Sequence, residues 1–310
     1  NPGSMPVLRP EIAAYAANQA AAVQLFDHRA NDHLGARRSD AQAGWVRVSQ
    51  HQVDYGNVHD QLTTDSDRSV LQLGVDLVRR ARAGLGLMLA HGQANSHVRS
   101  SKTGYTAQGQ VQGTALGIYA NWFQDSQASE GAYASGWIQH GQYRHSVDGA
   151  ALGQERYDAR ATAASVEAGY GWRVYDGAAS ALYVQPQVQL TYTDYRAATV
   201  TEANGTRIEA DQAGGLVTRI GARLFGHALG AGNRVQPFVE VNWLHQGRDN
   251  RLTFDGQAFS AAAIENRYET KGGVVLEMSR RLSGWGELAM QEGEGSYRDV
   301  SAQLGVKYAW

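Results

Sequence analysis

The last strand of the chain constrains its fold more than any other segment. From Val300 to Trp310, the residues Val300, Ala302, Leu304, Val306, Tyr308 and Trp310 are apolar, while Ser301, Gln303, Gly305 and Lys307 between them are polar or small. A period of two puts these sets on opposite faces of an extended strand. This strand closes the chain and ends on an aromatic residue. About a dozen upstream segments repeat the alternation, the pattern of a transmembrane β-barrel with lipid outside and water inside.

Composition alone would mislead. Only 43% of the 310 residues are hydrophobic, and the mean hydropathy of −0.43 is that of an ordinary soluble protein. No run of about 18 apolar residues occurs, which excludes a helical membrane span. A barrel escapes that test because half of every strand is polar. Thirty-six glycines and fifteen tyrosines against five prolines suit a β-rich chain. The net charge of −2 gives no reason to expect a nucleic-acid partner. Cysteine is absent, which suits both an envelope protein without disulfides and a cytosolic one. Asn1 to Met5 reads as an expression scar and no leader is visible, so the chain is expected to be the C-terminal piece of a longer protein.

One helix is expected, from Pro10 to Gly35, within a helix-and-linker region spanning 6–41. Pro10 suits a first helical position, Glu11 complements the helix dipole, and seven alanines between 13 and 22 favour helix without bulk. Gly35 is the expected stop. Roughly 20 to 24 residues at 1.5 Å each would reach about 30 to 36 Å, a bilayer's thickness. Asn18, Gln19 and Gln24 make such a helix unfit for lipid, so it would lie inside a polar lumen or on the surface of a soluble domain.

Twelve strands are expected within 42–310, near 42–55, 69–79, 83–92, 110–123, 131–144, 160–175, 180–195, 213–227, 233–247, 265–279, 282–292 and 297–310. Leu71, Leu73, Val75 and Leu77 oppose Gln72, Gly74 and Asp76. Leu216, Ile220 and Leu224 oppose Arg219 and Arg223. Leu182, Val184, Val188 and Leu190 oppose Gln185, Gln187 and Gln189. The second face is too polar for a sandwich core, so Gln72, Gln185, Gln187, Gln189, Arg219 and Arg223 are expected to line a wet pore. Short links alternate with longer ones at 56–68, 93–109, 145–159, 196–212 and 248–264, as periplasmic turns alternate with outer loops. Aromatics at strand ends (Trp122, Phe123, Trp172, Tyr175, Tyr192, Tyr195, Trp243, Tyr308 and Trp310) are expected to form interfacial girdles. Pro186 and Pro237 fall inside strands and are expected at bulges.

A slim helix leading into twelve strands with an aromatic end resembles the C-terminal translocator domain of classical (type Va) autotransporters. The resemblance is carried by Leu8-Arg9-Pro10-Glu11, Tyr15-Ala16-Ala17-Asn18 and Asp32-His33-Leu34-Gly35. It continues through Val70-Leu71-Gln72-Leu73-Gly74, Ser165-Val166-Glu167-Ala168-Gly169-Tyr170, Gln236-Pro237-Phe238-Val239-Glu240 and Leu304-Gly305-Val306-Lys307-Tyr308 to Trp310. It runs from about residue 8 to the C-terminus and is closest to the branch with the diffuse-adherence adhesin, pertactin and the Bordetella serum-resistance autotransporter. It implies a Gram-negative outer-membrane barrel with lipid around it. The barrel-assembly machinery would read Leu304, Val306, Tyr308 and Trp310, and an N-terminal passenger would be secreted, after which the helix plugs the pore.

No enzyme motif stands out, and neither a cofactor nor a metal site is expected. The pairs His140/His145 and His91/His97 lack ligand spacing on one face. The resemblance brings one single-turnover possibility, cleavage of the helix by an asparagine that attacks its own carbonyl beside luminal acids. Asn18 and Asn31 are the candidates, with Asp76, Glu167, Glu240 and Glu277 as acids. The same acids could simply pair with Arg219 and Arg223. An outer-membrane barrel enzyme (protease or lipase) and a simple porin or adhesin barrel remain alternatives. Barrel closure removes the edges that force association, so a monomer is expected.

Overall fold

The computed structural model describes residues 7–34, 41–56, 61–125, 129–150, 152–228, 234–247, 251–260 and 264–310. Asn1 to Met5 and Gly35 lie outside them. Two helices, α1 (Pro10–Gln24) and α2 (Asn31–Leu34), precede the strands. The strands are β1 (Ala43–Gly56), β2 (Leu62–Arg79), β3 (Ala83–Ser100), β4 (Thr106–Phe123), β5 (Gly131–Gly149), β6 (Gly153–Asp176), β7 (Ser180–Ala197), β8 (Val200–Thr201), β9 (Arg207–Gln212), β10 (Gly214–Ala228), β11 (Arg234–Gln246), β12 (Arg251–Phe254), β13 (Gln257–Ser260), β14 (Asn266–Glu277), β15 (Leu282–Gly293) and β16 (Tyr297–Ala309).

Twelve of them close into one antiparallel barrel in the order β1-β16-β15-β14-β11-β10-β7-β6-β5-β4-β3-β2. The seam joins first strand to last, with Ala43 opposite Ala309 and Asp54 opposite Arg298. Closure leaves no strand edge with unpaired N–H and C=O groups, which lipid could not satisfy. The alternation sorts as expected. Leu71, Leu116, Ile138, Val166, Leu190, Ile220 and Leu304 are exposed on the outside, whereas Gln72, Glu167, Gln189, Arg219 and Arg223 are buried inside. A wall apolar outward and polar inward is the inverse of a soluble core. The lumen is not polar throughout, because Trp45, Tyr119, Trp137, Tyr183, Phe225, Phe238 and Trp285 form an inward-facing cluster.

Several expectations need correction. Strands β2 to β6 run beyond their alternating cores, so three connections shrink to 57–61, 101–105 and 150–152. Beyond the apolar band both faces can be polar, so the sheet continues where the hydrophobic signal stops. The two links that stay long, 198–213 and 247–265, build a small separate sheet in the order β13-β12-β9-β8. Phe123 and Tyr195 are buried inward and do not join the girdle, while Trp122, Trp172, Tyr175, Tyr192, Tyr308 and Trp310 face outward. Neither proline makes a bulge. Pro186 pairs in register with Ala222 while the β6–β7 ladder skips the positions beside it, and Pro237 stands one residue past the last β10–β11 pair. Each missing N–H thus falls where no partner is in place.

The lipid face offers a direct test. Val166 is 62% exposed on β6, and an arginine near the centre of a barrel's apolar band costs about 2–4 kcal/mol. Val166→Arg should lower folding stability in lipid vesicles by that amount, read from urea titrations of gel mobility. Replacing its inward neighbour Ser165 with Ala should change it far less.

Candidate functional site

The lumen is occupied by residues 8–34. The helix α1 leans on β2 to β5, most closely on β4. Its alanines make this possible, since Ala13, Ala14, Ala16, Ala17, Ala21 and Ala22 are buried against the wall with no side chain to displace. The wall contributes room at Gly109, where an added Cβ would come 2.5 Å from Asn18 Oδ1 and 3.1 Å from the Ala14 carbonyl. Asn18 is fully buried and donates from Nδ2 to the Ser146 carbonyl at 2.9 Å.

At its start the helix meets the end of the barrel bearing the long links. Arg9 reaches Glu202 at 2.8 Å, and the Leu8 amide donates to Gln61 Oε1 at 3.1 Å. Tyr15 packs against Tyr157 and Phe254 with centroids 5.6 and 6.2 Å away. Val200, Ile208 and Leu252 of the small sheet join the same cluster. That sheet is therefore a cap on the helix.

The expected helix to residue 35 is broken. α1 ends at Gln24, and an elbow follows before the single turn of α2. A 15-residue helix extends only about 22 Å. No glycine or proline accounts for the break between 25 and 30. The wall does, because it supplies donors to the elbow carbonyls in place of the N–H partners a continued helix would provide. Gln139 Nε2 donates to the Phe26 carbonyl (2.9 Å), Arg47 to that of Asp27 (2.8 Å), and both Trp137 Nε1 (2.9 Å) and Gln189 Nε2 (2.8 Å) to that of His28. Lys307 Nζ donates to the Leu34 carbonyl at 2.8 Å.

Ionic contacts complete the seat. Arg29 donates to Glu269 through two nitrogens, at 2.6 and 3.1 Å, a bidentate geometry that fixes direction as well as distance. The Ala30 amide donates to Glu167 Oε2 at 3.0 Å. Asp32 lies 2.9 Å from Arg47 and accepts from Gln303 Nε2 at 3.0 Å. His33 meets Asn121 at 2.8 Å and His28 at 2.8 Å, and His28 stacks on Trp45. The elbow is thus bonded to β1, β4, β5, β6, β7, β14 and β16. Because α1 hugs one side, a polar cavity of about 120 Å³ remains opposite, bordered by Arg267, Lys271, Glu287 and Asp299.

The sequence-derived candidates take distinct places. Arg219 meets Glu167 at 3.2 Å and Glu240 at 3.5 Å, and its Nε donates to Gln189 Oε1 at 2.9 Å. Arg223 lies 3.5 Å from Glu240 and stacks over Phe238 at 3.6 Å. Gln187 Nε2 donates to Glu240 at 2.7 Å, and Gln72 accepts from Arg47 Nε at 2.7 Å. Gln185 is buried on the same inner face. Asp76 accepts from Tyr119 at 2.8 Å, and Glu277 lies 3.8 Å from Arg234. Among the described residues no acid bonds the side chain of Asn18 or Asn31. Leu304, Val306, Tyr308 and Trp310 stand on the outer face of the seam. Reasoning from sequence overlooked Arg29, Asp32, Arg47, Trp137, Gln139 and Glu269 as seat residues. A charge in the inward phase of a strand, as at Arg47 and Glu269, was the available signal.

Removing one partner of a buried ion pair typically costs about 3–5 kcal/mol because the other charge is stranded. Arg29→Ala should therefore lower the melting temperature in detergent markedly, and Arg29→Ala/Glu269→Gln should recover part of that loss. Calorimetry or heat-modifiable gel mobility reads both.

The autotransporter β-domain family model matches residues 44–289. The protein YuaQ of Escherichia coli K12 is 35% identical over 98% of this chain and 24% of its own length; YdeU of the same strain is 32% identical over 100% of this chain and 72% of its own. The autotransporter adhesin AIDA-I of Escherichia coli is 26% identical over 97% of this chain and 25% of its own length. The chain thus spans about a quarter of the length of YuaQ and AIDA-I. In structure, the transport unit of AIDA-I superposes with a TM-score of 0.90 at 24% identity, covering 98% of this chain and 100% of that one. The β-domain of the Bordetella autotransporter BrkA superposes at 0.62 and 18% identity, covering 87% of this chain and 100% of that one, so both share the fold. The chain belongs to the autotransporter β-domain family, translocator barrels of the Gram-negative outer membrane.

Proposed function

We propose that this barrel supports export of an N-terminal passenger to the cell surface and is afterwards closed by its own residues 10–34. The observation that carries this reading is the direction of the luminal segment. Leu8 and Arg9 lie under the cap at the long-link end, and Leu34 lies beside Lys307 at the short-turn end. Any chain ahead of α1 is therefore aimed out of the long-link face. The β1 strand starts at the opposite face, where Ala43 pairs with Ala309. A segment laid through the pore in this sense is what remains after a chain has passed outward.

The plug is the elbow as much as the helix. Its wall bonds come from strands all round the barrel, so it closes the bore where an alanine-rich helix alone would leave a gap. The outer-facing Leu304, Val306, Tyr308 and Trp310 suit recognition by the barrel-assembly machinery, and the apolar band between the girdles suits outer-membrane lipid. Asn18 acts as a bridge between helix and wall in this reading, and residues 6–41 serve as plug and linker to the barrel of 42–310.

Two measurements test the proposal. In planar bilayers, the full chain should be nearly closed and a version lacking residues 6–34 should conduct strongly; equal conductance would place the plug elsewhere. A reporter fused ahead of residue 6 should become protease-accessible on intact cells. It should not be displayed when residues 6–34 are deleted.

A further inference from the structure

Outside the lumen, strands β3 to β7 carry an exposed groove of about 870 Å³ lined in part by Arg144, Arg160, Arg196, His140 and Gln142. It lies on the outer wall toward the long-link end. On β6 the outward row runs from Val166 through Ala164 and Thr162 to Arg160, and on β7 from Leu190 through Tyr192 and Asp194 to Arg196. The groove therefore borders the long-link rim of the apolar band.

Two features of this groove suit an anion. Arg160 and Arg196 are direct register partners on neighbouring strands, and like charges directly opposite destabilise a sheet. Arg144 and Arg160 have no hydrogen bond or ion pair among the described residues, although arginine forks normally find carboxylate or phosphate. Asp158 faces Arg144 across the β5–β6 ladder without forming an ion pair. Asp194 lies 3.2 Å from Arg196, so three guanidinium groups stand against the two carboxylates of Asp158 and Asp194. The excess stays positive.

We propose that this groove seats the phosphorylated headgroup of an outer-leaflet glycolipid. A phosphate bridging Arg160 and Arg196 would remove their repulsion, and Arg144 would meet a second anionic group. His140 and Gln142 offer hydrogen bonds to sugar hydroxyls. The acyl chains would lie below on Ile138, Val166 and Leu190, which are exposed on the same wall. A glycolipid fits better than a soluble anion because the outward rows that carry Arg160 and Arg196 continue, past Thr162 and Ala164 and past Asp194 and Tyr192, to that apolar surface.

The test is native mass spectrometry of the refolded chain in detergent with bis-phosphorylated lipid A, dephosphorylated lipid A and phosphatidylglycerol. Bis-phosphorylated lipid A should bind at least about tenfold more tightly than either of the others. Arg160→Gln/Arg196→Gln should lose that preference, Arg160→Lys/Arg196→Lys should keep part of it, and Arg280→Gln/Arg281→Gln at the opposite rim should not alter it. Equal binding of the three lipids by the unaltered chain would overturn the proposal. So would a glutamine variant that folds, by heat-modifiable mobility, and keeps the preference.

Discussion

Within a bilayer every backbone N–H and C=O must find its partner inside the protein, and the rest of this structure follows from that requirement. Twelve strands meet it by closing on themselves, with β16 returning to β1. Closure then creates a second problem. A barrel of this size encloses a lumen too wide for its own side chains to fill, and its inward phase is rich in charge. The chain fills that space with its own N-terminal segment. Small residues let α1 lie against the wall, and the elbow takes up hydrogen-bonding groups that the wall would otherwise leave to water.

The barrel was readable in the sequence because lipid contact forces a strict period of two, as in Leu71 to Leu77 and Val300 to Trp310. Where that force ends, legibility ends too. The upper part of β6 runs through Gln154, Glu155 and Arg156, polar on both faces, and nothing in that run announces a strand. The cap was hidden for a related reason. Val200, Ile208 and Leu252 are isolated apolar residues in polar links, and their role appears only when the helix brings Tyr15 beneath them.

The helix break was the least legible element. Residues 25–30 contain no helix breaker, and local propensity would carry the helix on. Tertiary contacts override it. The donors that capture the carbonyls of Phe26, Asp27 and His28 come from residues more than a hundred positions away or, for Arg47, from 20 positions on in β1. The inward glutamines and arginines were legible as pore lining, but their partners were not, since pairing depends on how the barrel curves in space.

The elbow also touches the place where the barrel closes. Asp32 bonds Arg47 on β1 and Gln303 on β16, Arg47 itself donates to Gln303 at 2.7 Å, and Lys307 of β16 holds Leu34. The first and last strands are thus stapled from inside by the segment that fills the pore. Linkage makes the effect mutual: contacts that favour seating of the elbow favour a closed seam by the same free energy, and a closed seam favours seating. Before the elbow is seated, the β1–β16 boundary lacks the contacts made by Asp32 and Leu34 and relies on its ladder, the Arg47–Gln303 bond and its outer apolar face. Seating therefore does two things in one step, blocking the bore and strengthening the seam of the barrel that encloses it.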